Sequence, residues 1–306
     1  MNSQLIGPAN GTLTTPFKII PSNVGTYYLS DQVRNAVFEY SMDGVLLRTV
    51  LGNLTQARGI ALHENQIYVA VGDNANNLST QNTIQRFNLD GSPAGVETLP
   101  GGGTSPVFAR FTVQEARFSS PWDIAVQGGR LLVSNFQNSG AGNPVTPDVF
   151  EVDLATGASS SLVQDTFGLS GAQQIIAIED GGFAVAAFSN TFSLELTLNT
   201  AGIYLFNADG SQRLYYNLAF GPRGIAQLAN GNWLFSTANG IRSFDPISGD
   251  PAAPLVPGTE NGQFRMITPA FAMTRPVIPE PGFLALPLAA GVALLRRARR
   301  AKVGVT

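Results

Sequence analysis

The chain of 306 residues contains no cysteine and a single histidine, and only 13% of its residues are charged. Without cysteine, neither disulfides nor thiolate metal sites can form. One histidine excludes a metal centre with several histidine ligands, and the polar residues around His63 predict a solvent-exposed turn. No long stretch has the 3.6-residue apolar period of amphipathic helices, which argues against a helical solenoid. No glycine-rich loop follows a strand and opens a helix, so nucleotide chemistry is unsupported.

The composition instead favours a fold with many buried strands. Hydrophobic residues make up 44% of the chain, and its 33 glycines and 19 prolines are spread along its length. This composition excludes disorder and predicts many short elements separated by turns. Residues 1–278 hold 13 basic and 20 acidic residues, because five of the 18 basic residues lie in 296–302 and one of the 21 acidic residues is Glu280. A body this acidic is unsuited to nucleic acid, whose binding depends on neutralising phosphates.

A repeated pattern runs through the body of the chain. Four segments contain an Ile-Ala pair, a tight polar turn and an apolar run with strand character, and the pairs are Ile60-Ala61, Ile124-Ala125, Ile176-Ala177 and Ile225-Ala226. A weaker copy begins at Lys18. Alternating stretches follow, each ending in a turn glycine: Gly44, Gly91, Gly157, Gly210 and Gly249. Asp-Gly and related dipeptides between alternating apolar residues predict hairpins, so each unit comprises four antiparallel strands, A to D.

Such units predict an all-β fold, a β-propeller of five to six four-stranded blades over residues 1–275. Five units are complete. A sixth begins at Arg265-Met266-Ile267-Thr268 and stops, so this strand either pads a five-bladed ring or starts a sixth blade completed by strands from the N-terminus. The pattern resembles the six-bladed propellers of the NHL-repeat type over residues 16–270, most clearly at Arg58-Gly59-Ile60-Ala61 and Arg223-Gly224-Ile225-Ala226.

The last thirty or so residues, 276–306, form a separate segment. It contains Pro279, Glu280 and Pro281, then an apolar stretch from Gly282 to Leu295, then a basic cluster of Arg296, Arg297, Arg299 and Arg300. The order of these three parts resembles the PEP-CTERM sorting signal of bacteria. The resemblance implies export to the cell envelope or the extracellular space, and recognition of the Pro-Glu-Pro element by an exosortase-type processing enzyme.

The apolar stretch of this tail is predicted to form a short hydrophobic helix that inserts transiently into the membrane. As a helix it would span about 21 Å, whereas a bilayer core is roughly 30 Å thick, and Pro287 interrupts it. We expect the arginines to stay cytoplasmic, which places the propeller outside. The chain begins without the basic-then-apolar pattern of a signal peptide, so we hypothesise that the true start lies upstream of Met1.

The long connections of the repeat gather on one face of the propeller. Because strands alternate in direction within a blade, the B–C loops and the D–A connection at 100–119 leave the same side. Insertions on one face of a repeat protein often form a binding surface, although drift in unconstrained loops gives the same pattern. The candidate binding face comprises Asp73, Asn74, Asn76, Asn77, Phe136, Asn138, Phe188 and Asn190. Its first four members have the oxygen ligands that calcium prefers, but a solvated loop explains them more simply.

The inner strands hold a second group of candidate residues. Arg58, Asp123 and Arg223 are predicted to lie at or beside equivalent positions and to line the central channel. They either hold an anion or water chain or pair with one another and with backbone at the rim. Propellers of related architecture include calcium-dependent lactonases, and that resemblance implies acidic and asparagine ligands at these positions. The chain has Arg, Trp, Gln and Arg there, with Asp123 the only acid, so we predict no cofactor.

These patterns together predict an exported propeller without catalysis, which binds a protein partner or an extracellular polysaccharide through its loop-rich face. A degenerate calcium-dependent lactonase or hydrolase is the alternative. A purely structural matrix protein without a defined ligand is a third hypothesis. A divalent ion on the propeller axis, ligated by Asp123 and neighbouring asparagines, would favour the hydrolase.

Overall fold

A computed structural model describes residues 13–72, 82–111, 120–136, 148–163, 169, 171–188, 201–218, 221–237, 240–248, 252–257 and 266–268. These residues contain no helix, so none that could cross a membrane. They form twenty strands: β1 (Pro16–Pro21), β2 (Thr26–Asp31), β3 (Ala36–Ser41), β4 (Leu46–Leu51), β5 (Ala57–His63), β6 (Gln66–Val71), β7 (Thr83–Asn88), β8 (Val107–Arg110), β9 (Pro121–Gln127), β10 (Arg130–Asn135), β11 (Val149–Asp153), β12 (Ser159–Val163), β13 (Ala172–Ala177), β14 (Phe183–Ala187), β15 (Gly202–Phe206), β16 (Gln212–Asn217), β17 (Gly224–Gln227), β18 (Trp233–Thr237), β19 (Gly240–Phe244) and β20 (Val256–Pro257). The tail that is predicted to carry a hydrophobic helix and a sorting motif lies outside the described residues.

The strands pair in five antiparallel sheets in which consecutive strands are neighbours: β1–β4, β5–β8, β9–β12, β13–β16 and β17–β20. The first strands of blades 1 to 4 each contact the first strand of the next blade, so the first strands surround the axis. The architecture confirms the predicted all-β propeller of four-stranded blades. Of the five to six blades predicted, the described part of the chain contains five.

Tight turns with left-handed backbone connect strands within the blades. Glu64 and Asn65 join β5 to β6 and have φ angles of 46° and 61°, the two-residue turn that matches the twist of paired strands. The turns between third and fourth strands contain the glycines that the sequence indicated. Their φ angles are 79° at Gly44, 89° at Gly91, 74° at Gly157 and 82° at Gly210. Gly249 lies outside the described residues.

The strand register corrects one alignment of the repeat. In each blade an isoleucine of the first strand pairs with an apolar residue of the second, and the pairs are Ile19–Leu29, Ile60–Val69, Ile124–Val133, Ile175–Val185 and Ile225–Phe235. Ile175 is therefore equivalent to Ile60, whereas the sequence alignment had assigned Ile176. The offset arises because two isoleucines are adjacent in blade 4, and Ile176 is the one followed by alanine, Ala177, so the Ile-Ala match selected it.

Apolar side chains between neighbouring blades form the core. Blades 2 and 3 pack through Tyr68, Ala70, Leu131 and Val133, each at most 2% exposed. Corresponding clusters join blades 1 and 2, blades 3 and 4, and blades 4 and 5. Trp233 belongs to the last of these clusters and is 2% exposed. Burial of apolar surface between flat sheets is thus the main attraction that holds the blades side by side.

The segment 266–268 contacts both blade 1 and blade 4 at the axis. Thr268 Oγ1 donates a hydrogen bond to the Ile19 carbonyl oxygen at 2.7 Å. The Ile267 amide donates to Gln174 Oε1 at 3.0 Å, and Gln174 Nε2 donates to the Ile267 carbonyl oxygen at 2.9 Å. The described residues form no sixth sheet. These contacts agree with the alternative in which this strand pads a five-bladed ring.

Gly59 is needed where the first strands of blades 2 and 3 approach each other. A Cβ atom there would lie 2.5 Å from Asp123 Cα and 2.8 Å from the Ile124 amide nitrogen, so β5 and β9 would have to separate. We expect Gly59→Ala to lower the free energy of unfolding by about 1–3 kcal/mol, the usual cost of overpacking. Gly52→Ala is the control, because a Cβ there would meet nothing within 4 Å. Urea denaturation of both variants measures the difference, and equal small losses would contradict the close approach.

Candidate functional site

Five residues directly before the paired isoleucines surround the propeller axis. This axial layer consists of Lys18, Gly59, Asp123, Gln174 and Gly224. Three of its members have polar side chains, and none of these three residues is more than 8% exposed. Two members are glycines, which leave room at the axis. The three polar side chains occupy the space that the two glycines leave open, so the axis is lined by hydrogen-bonding groups.

Lys18 and Asp123 form a buried ion pair across the axis. Lys18 Nζ lies 2.7 Å from Asp123 Oδ1 and donates a second hydrogen bond to the Ile124 carbonyl oxygen at 2.6 Å. Asp123 Oδ2 accepts a hydrogen bond from the Ile175 amide at 3.1 Å. Burial raises the pKa of the Asp123 carboxyl, while the Lys18 ammonium and the backbone donors oppose that shift. The pair thus connects β1, β9 and β13, the first strands of three blades.

Gln174 continues the axial layer toward blade 5. Its Oε1 accepts hydrogen bonds from the Ile225 amide at 2.9 Å and from the Ile267 amide at 3.0 Å. Asp123 and Gln174 therefore each bind a backbone amide in the next blade. These partners matter because an unsatisfied buried polar group costs about 1–3 kcal/mol.

Serines at the ends of second strands add further links between blades. Ser30 Oγ donates to the Arg58 carbonyl oxygen, which joins blade 1 to blade 2. Ser134 Oγ donates to the Gln173 carbonyl oxygen, which joins blade 3 to blade 4. Each hydroxyl also accepts a hydrogen bond from an axial-layer amide, that of Lys18 or Asp123. The hydroxyls fix the spacing of the inner strands and thereby the positions of the axial side chains.

Arg58 belongs to a second layer, one residue earlier on each inner strand, which comprises Phe17, Arg58, Trp122, Gln173 and Arg223. It is completely buried. Its Nη2 donates to Gln56 Oε1 at 2.6 Å, and its Nη1 donates to the Pro121 carbonyl oxygen at 3.2 Å and to Ser120 Oγ. Its Cζ lies 4.5 Å from the centre of the Trp122 ring. These contacts fix Arg58, which in turn supports Trp122.

Trp122 is the centre of an aromatic group in the second layer. Its ring centroid lies 5.3 Å from that of Phe17, in an edge contact, and 4.7 Å from that of Phe136. Trp122 and Phe136 are both partly exposed. The buried indole Nε1 has no hydrogen-bond partner among the described residues. The group therefore presents flat apolar surface at the end of the axis where the inner strands begin.

Arg223 and Phe188 extend this surface on the side of blade 5. Arg223 Cζ lies 4.7 Å from the centre of the Phe188 ring. Burial lowers the pKa of the Arg223 guanidinium, although the residue stays partly exposed. Gly171 lies between the two aromatic groups, since a Cβ there would be 2.4 Å from the Phe188 carbonyl oxygen and 3.5 Å from Phe136 Cε2. We refer to Trp122, Phe136, Phe188 and Arg223 together as the arginine–aromatic surface.

The structure places the sequence-based candidates in different layers. Arg58 and Arg223 occupy equivalent positions in the second layer, whereas Asp123 lies one residue further along, in the axial layer. Phe136 and Phe188 lie beside Trp122 and Arg223. The other members of the predicted binding face lie outside the described residues: Asp73, Asn74, Asn76, Asn77, Asn138 and Asn190. That this face binds a partner therefore stays a prediction.

Lys18 and Gln174 are functional candidates that the sequence analysis missed. The alignment had matched Gln174 with Arg58, one position too early, and had treated the segment at Lys18 as a weak copy of the repeat. The available signal was the polar residue directly before an isoleucine in three units, at Lys18, Asp123 and Gln174. Only the strand register shows that these three residues share one layer.

The axial layer does not fit a calcium ion. Calcium takes six to eight oxygen ligands, usually with several carboxylates. Asp123 is the single carboxylate of the layer, and the Lys18 ammonium already lies between Asp123 Oδ1 and the Ile124 carbonyl oxygen. The described part of the chain has no group of three or more histidine, aspartate or glutamate side chains that could hold a metal. We therefore derive no chemical step through a metal at this site.

Comparison with known proteins identifies the fold and no family. No family model matches the chain, and no curated protein sequence is similar to it. A gluconolactonase from Xanthomonas campestris is 16% identical, with a TM-score of 0.59 over 84% of this chain and 80% of that chain. A streptogramin B lyase is 15% identical, with a TM-score of 0.54 over 83% of this chain and 72% of that chain. A chain of a nidogen/laminin complex is 13% identical, with a TM-score of 0.57 over 78% of this chain and 78% of that chain.

These structures contradict the prediction that the chain is not an enzyme. That prediction rested on the missing calcium ligands and on the single histidine. A gluconolactonase and a streptogramin B lyase share the propeller fold, so this architecture supports catalysis as well as binding. The error was to equate the loss of one ligand set with the loss of chemistry, since a guanidinium group also stabilises developing negative charge.

The support that Arg58 gives the site is testable by its stability cost. Arg58→Met removes the buried guanidinium and leaves the oxygens of Gln56, Ser120 and Pro121 without their donor. We expect the free energy of unfolding to fall by about 2–4 kcal/mol. Arg213→Met is the control, because Arg213 pairs with Asp180 at the surface, with side chains 42% and 48% exposed, and such pairs contribute at most about 1 kcal/mol. Equal losses in urea denaturation would contradict the assignment.

Proposed function

We propose that the protein is a propeller enzyme that hydrolyses cyclic esters of the lactone class at the arginine–aromatic surface. Two features support this function. The fold is similar to those of a gluconolactonase and a streptogramin B lyase. The second layer brings a partly desolvated cation and apolar walls together at one end of the axis.

Arg223 is the observation that carries the proposal. Its guanidinium lies against the Phe188 ring, and burial lowers its pKa because the charged form has lost hydration. A cation in a site of low polarity attracts a developing oxyanion more strongly than one in water. Ester cleavage places negative charge on the carbonyl oxygen in its transition state. We assign Arg223 the stabilisation of that charge.

The remaining residues of the site have positioning roles. Trp122, Phe136 and Phe188 provide walls for an apolar or planar substrate group. Arg58 holds Trp122 through its stacking contact and is itself held by hydrogen bonds from its Nη atoms to the Pro121 carbonyl oxygen and to Gln56. Asp123 has both carboxylate oxygens engaged, with Lys18 and with the Ile175 amide, so it positions inner strands and does not act as a base.

The reaction follows from these roles. Water adds to the ester carbonyl carbon and gives up a proton to solvent, and the carbonyl oxygen takes the negative charge beside Arg223. The ring C–O bond then breaks, the alkoxide takes up a proton from solvent, and an open-chain hydroxy acid leaves. The new carboxylate is also attracted to Arg223, so product release is expected to slow at low ionic strength.

We also propose that the protein acts outside the cytoplasm, from the resemblance of residues 279–300 to a PEP-CTERM signal alone. An exosortase-type enzyme would process the tail, and the propeller would reach the cell envelope or beyond. Fractionation of a producing bacterium with an antibody to the propeller tests this location. A purely cytoplasmic signal would contradict export and would leave the catalytic proposal intact.

Hydrolysis is tested with a panel of lactones that includes gluconolactone and aryl-substituted rings, followed by acid release with a pH indicator. We expect turnover by the unmodified protein and a loss of about 10²–10³-fold in kcat/KM for Arg223→Met, the usual effect of removing one oxyanion donor. Arg213→Met, which changes an arginine on the opposite face, should keep full activity. The proposal fails if no cyclic ester is hydrolysed, or if both variants keep the same rate.

A further inference from the structure

We infer that the side-chain ammonium of Lys18 occupies the place of a free cation at the propeller axis. Shortening this side chain therefore creates a binding site for a small organic ammonium ion at Asp123. Lys18 Nζ is held by two oxygens, Asp123 Oδ1 at 2.7 Å and the Ile124 carbonyl oxygen at 2.6 Å. A carboxylate together with a backbone carbonyl is a cation-binding pair of oxygens. In this chain the cation between the two oxygens is the ammonium group of the Lys18 side chain.

The charge balance of the axial layer supports this inference. Lys18 and Asp123 are its only ionisable residues, and their side chains are 9% and 0% exposed. One ammonium compensates one carboxylate. A divalent ion added beside Lys18 would leave an excess of buried positive charge, which a low-polarity interior strongly disfavours. The native axis therefore has no place for a metal while the ammonium occupies it.

Amino acid usage points the same way. The chain has only two lysines, Lys18 and Lys302, and all its other basic residues are arginines. A planar guanidinium needs several acceptors in its own plane, whereas an ammonium is a compact charge on a flexible stem. Lysine thus occurs in the body of the chain only at the buried axial position, where a compact charge fits between two oxygens.

The path of the lysine stem explains the glycine in blade 2. Lys18 reaches from β1 past β5 to β9, so it bypasses the blade between them. Gly59 occupies the equivalent position in β5, and a Cβ there would lie 2.5 Å from Asp123 Oδ1, the oxygen that binds Lys18. A side chain at Gly59 would collide with the ion pair. The glycine at position 59 in blade 2 is therefore required by the lysine at the equivalent position of blade 1.

Chemical rescue of Lys18→Ala tests the inference. This variant removes the part of the side chain that propylammonium matches. We expect a lower midpoint of thermal unfolding, and a saturable rise of several degrees with propylammonium chloride over sodium chloride at equal ionic strength. Lys18→Met fills the same space without charge and should show no rise. The double variant Lys18→Ala with Asp123→Ala should also show none, because the carboxylate is gone.

The unmodified protein provides a second measurement that does not depend on the folding of a variant. Calorimetric titration with calcium chloride should detect no binding at the axis, and a chelator should leave the unfolding midpoint unchanged. Stoichiometric calcium binding that Asp123→Asn abolishes would overturn the inference. Failure of propylammonium to stabilise folded Lys18→Ala, or equal stabilisation of the double variant, would also overturn it. None of these outcomes depends on lactone hydrolysis, so the two proposals fail separately.

Discussion

The ion pair between Lys18 and Asp123 is the interaction on which the centre of this propeller depends. Taking both charges out of water is costly, and the cost is offset only where each charge finds its partner and further hydrogen bonds. Lys18 has the carboxylate and the Ile124 carbonyl, and Asp123 has the ammonium and the Ile175 amide. The geometry of three inner strands is therefore coupled to one contact. Removing either partner alone would leave an uncompensated charge in the core.

The arginine–aromatic surface is built on this axial layer. Gln174 continues the hydrogen bonds to blade 5 and to the segment 266–268, and that segment returns to blade 1 at Ile19. The inner strands are thus fixed relative to one another at the axis. One residue earlier, the same strands present Trp122 and Arg223 at their starts. A rigid layer below a partly exposed one is the arrangement expected of a preorganised site, in which charge is stabilised without rearrangement.

The sequence predicted the fold well because its signals are local. Alternating apolar residues around Gly44, Gly91, Gly157 and Gly210 indicate hairpins whatever the tertiary context, and the structure contains each of them. The axial layer was harder to predict because membership depends on register. The adjacent Ile175 and Ile176 allow two alignments that differ by one residue, and a shift of one residue exchanges the two faces of a strand. The partnership of Lys18 with Asp123 joins positions 105 residues apart and skips a blade, so no local pattern indicates it.

The prediction that the chain is not an enzyme was wrong for a different reason. The prediction took the missing ligand set of a metal hydrolase as a sign that the chain has no catalytic activity. The structure has a cation at the axis and a second, partly desolvated cation at Arg223, so positive charge is available without a metal ion in the described layers.

Electron density at the axis, in crystals grown with millimolar calcium, would show directly which cation Asp123 binds. We predict that the Lys18 ammonium lies between Asp123 Oδ1 and the Ile124 carbonyl oxygen, with no metal within coordination distance of that carboxylate. A calcium ion bound to Asp123, with the Lys18 side chain turned away from the axis, would contradict it.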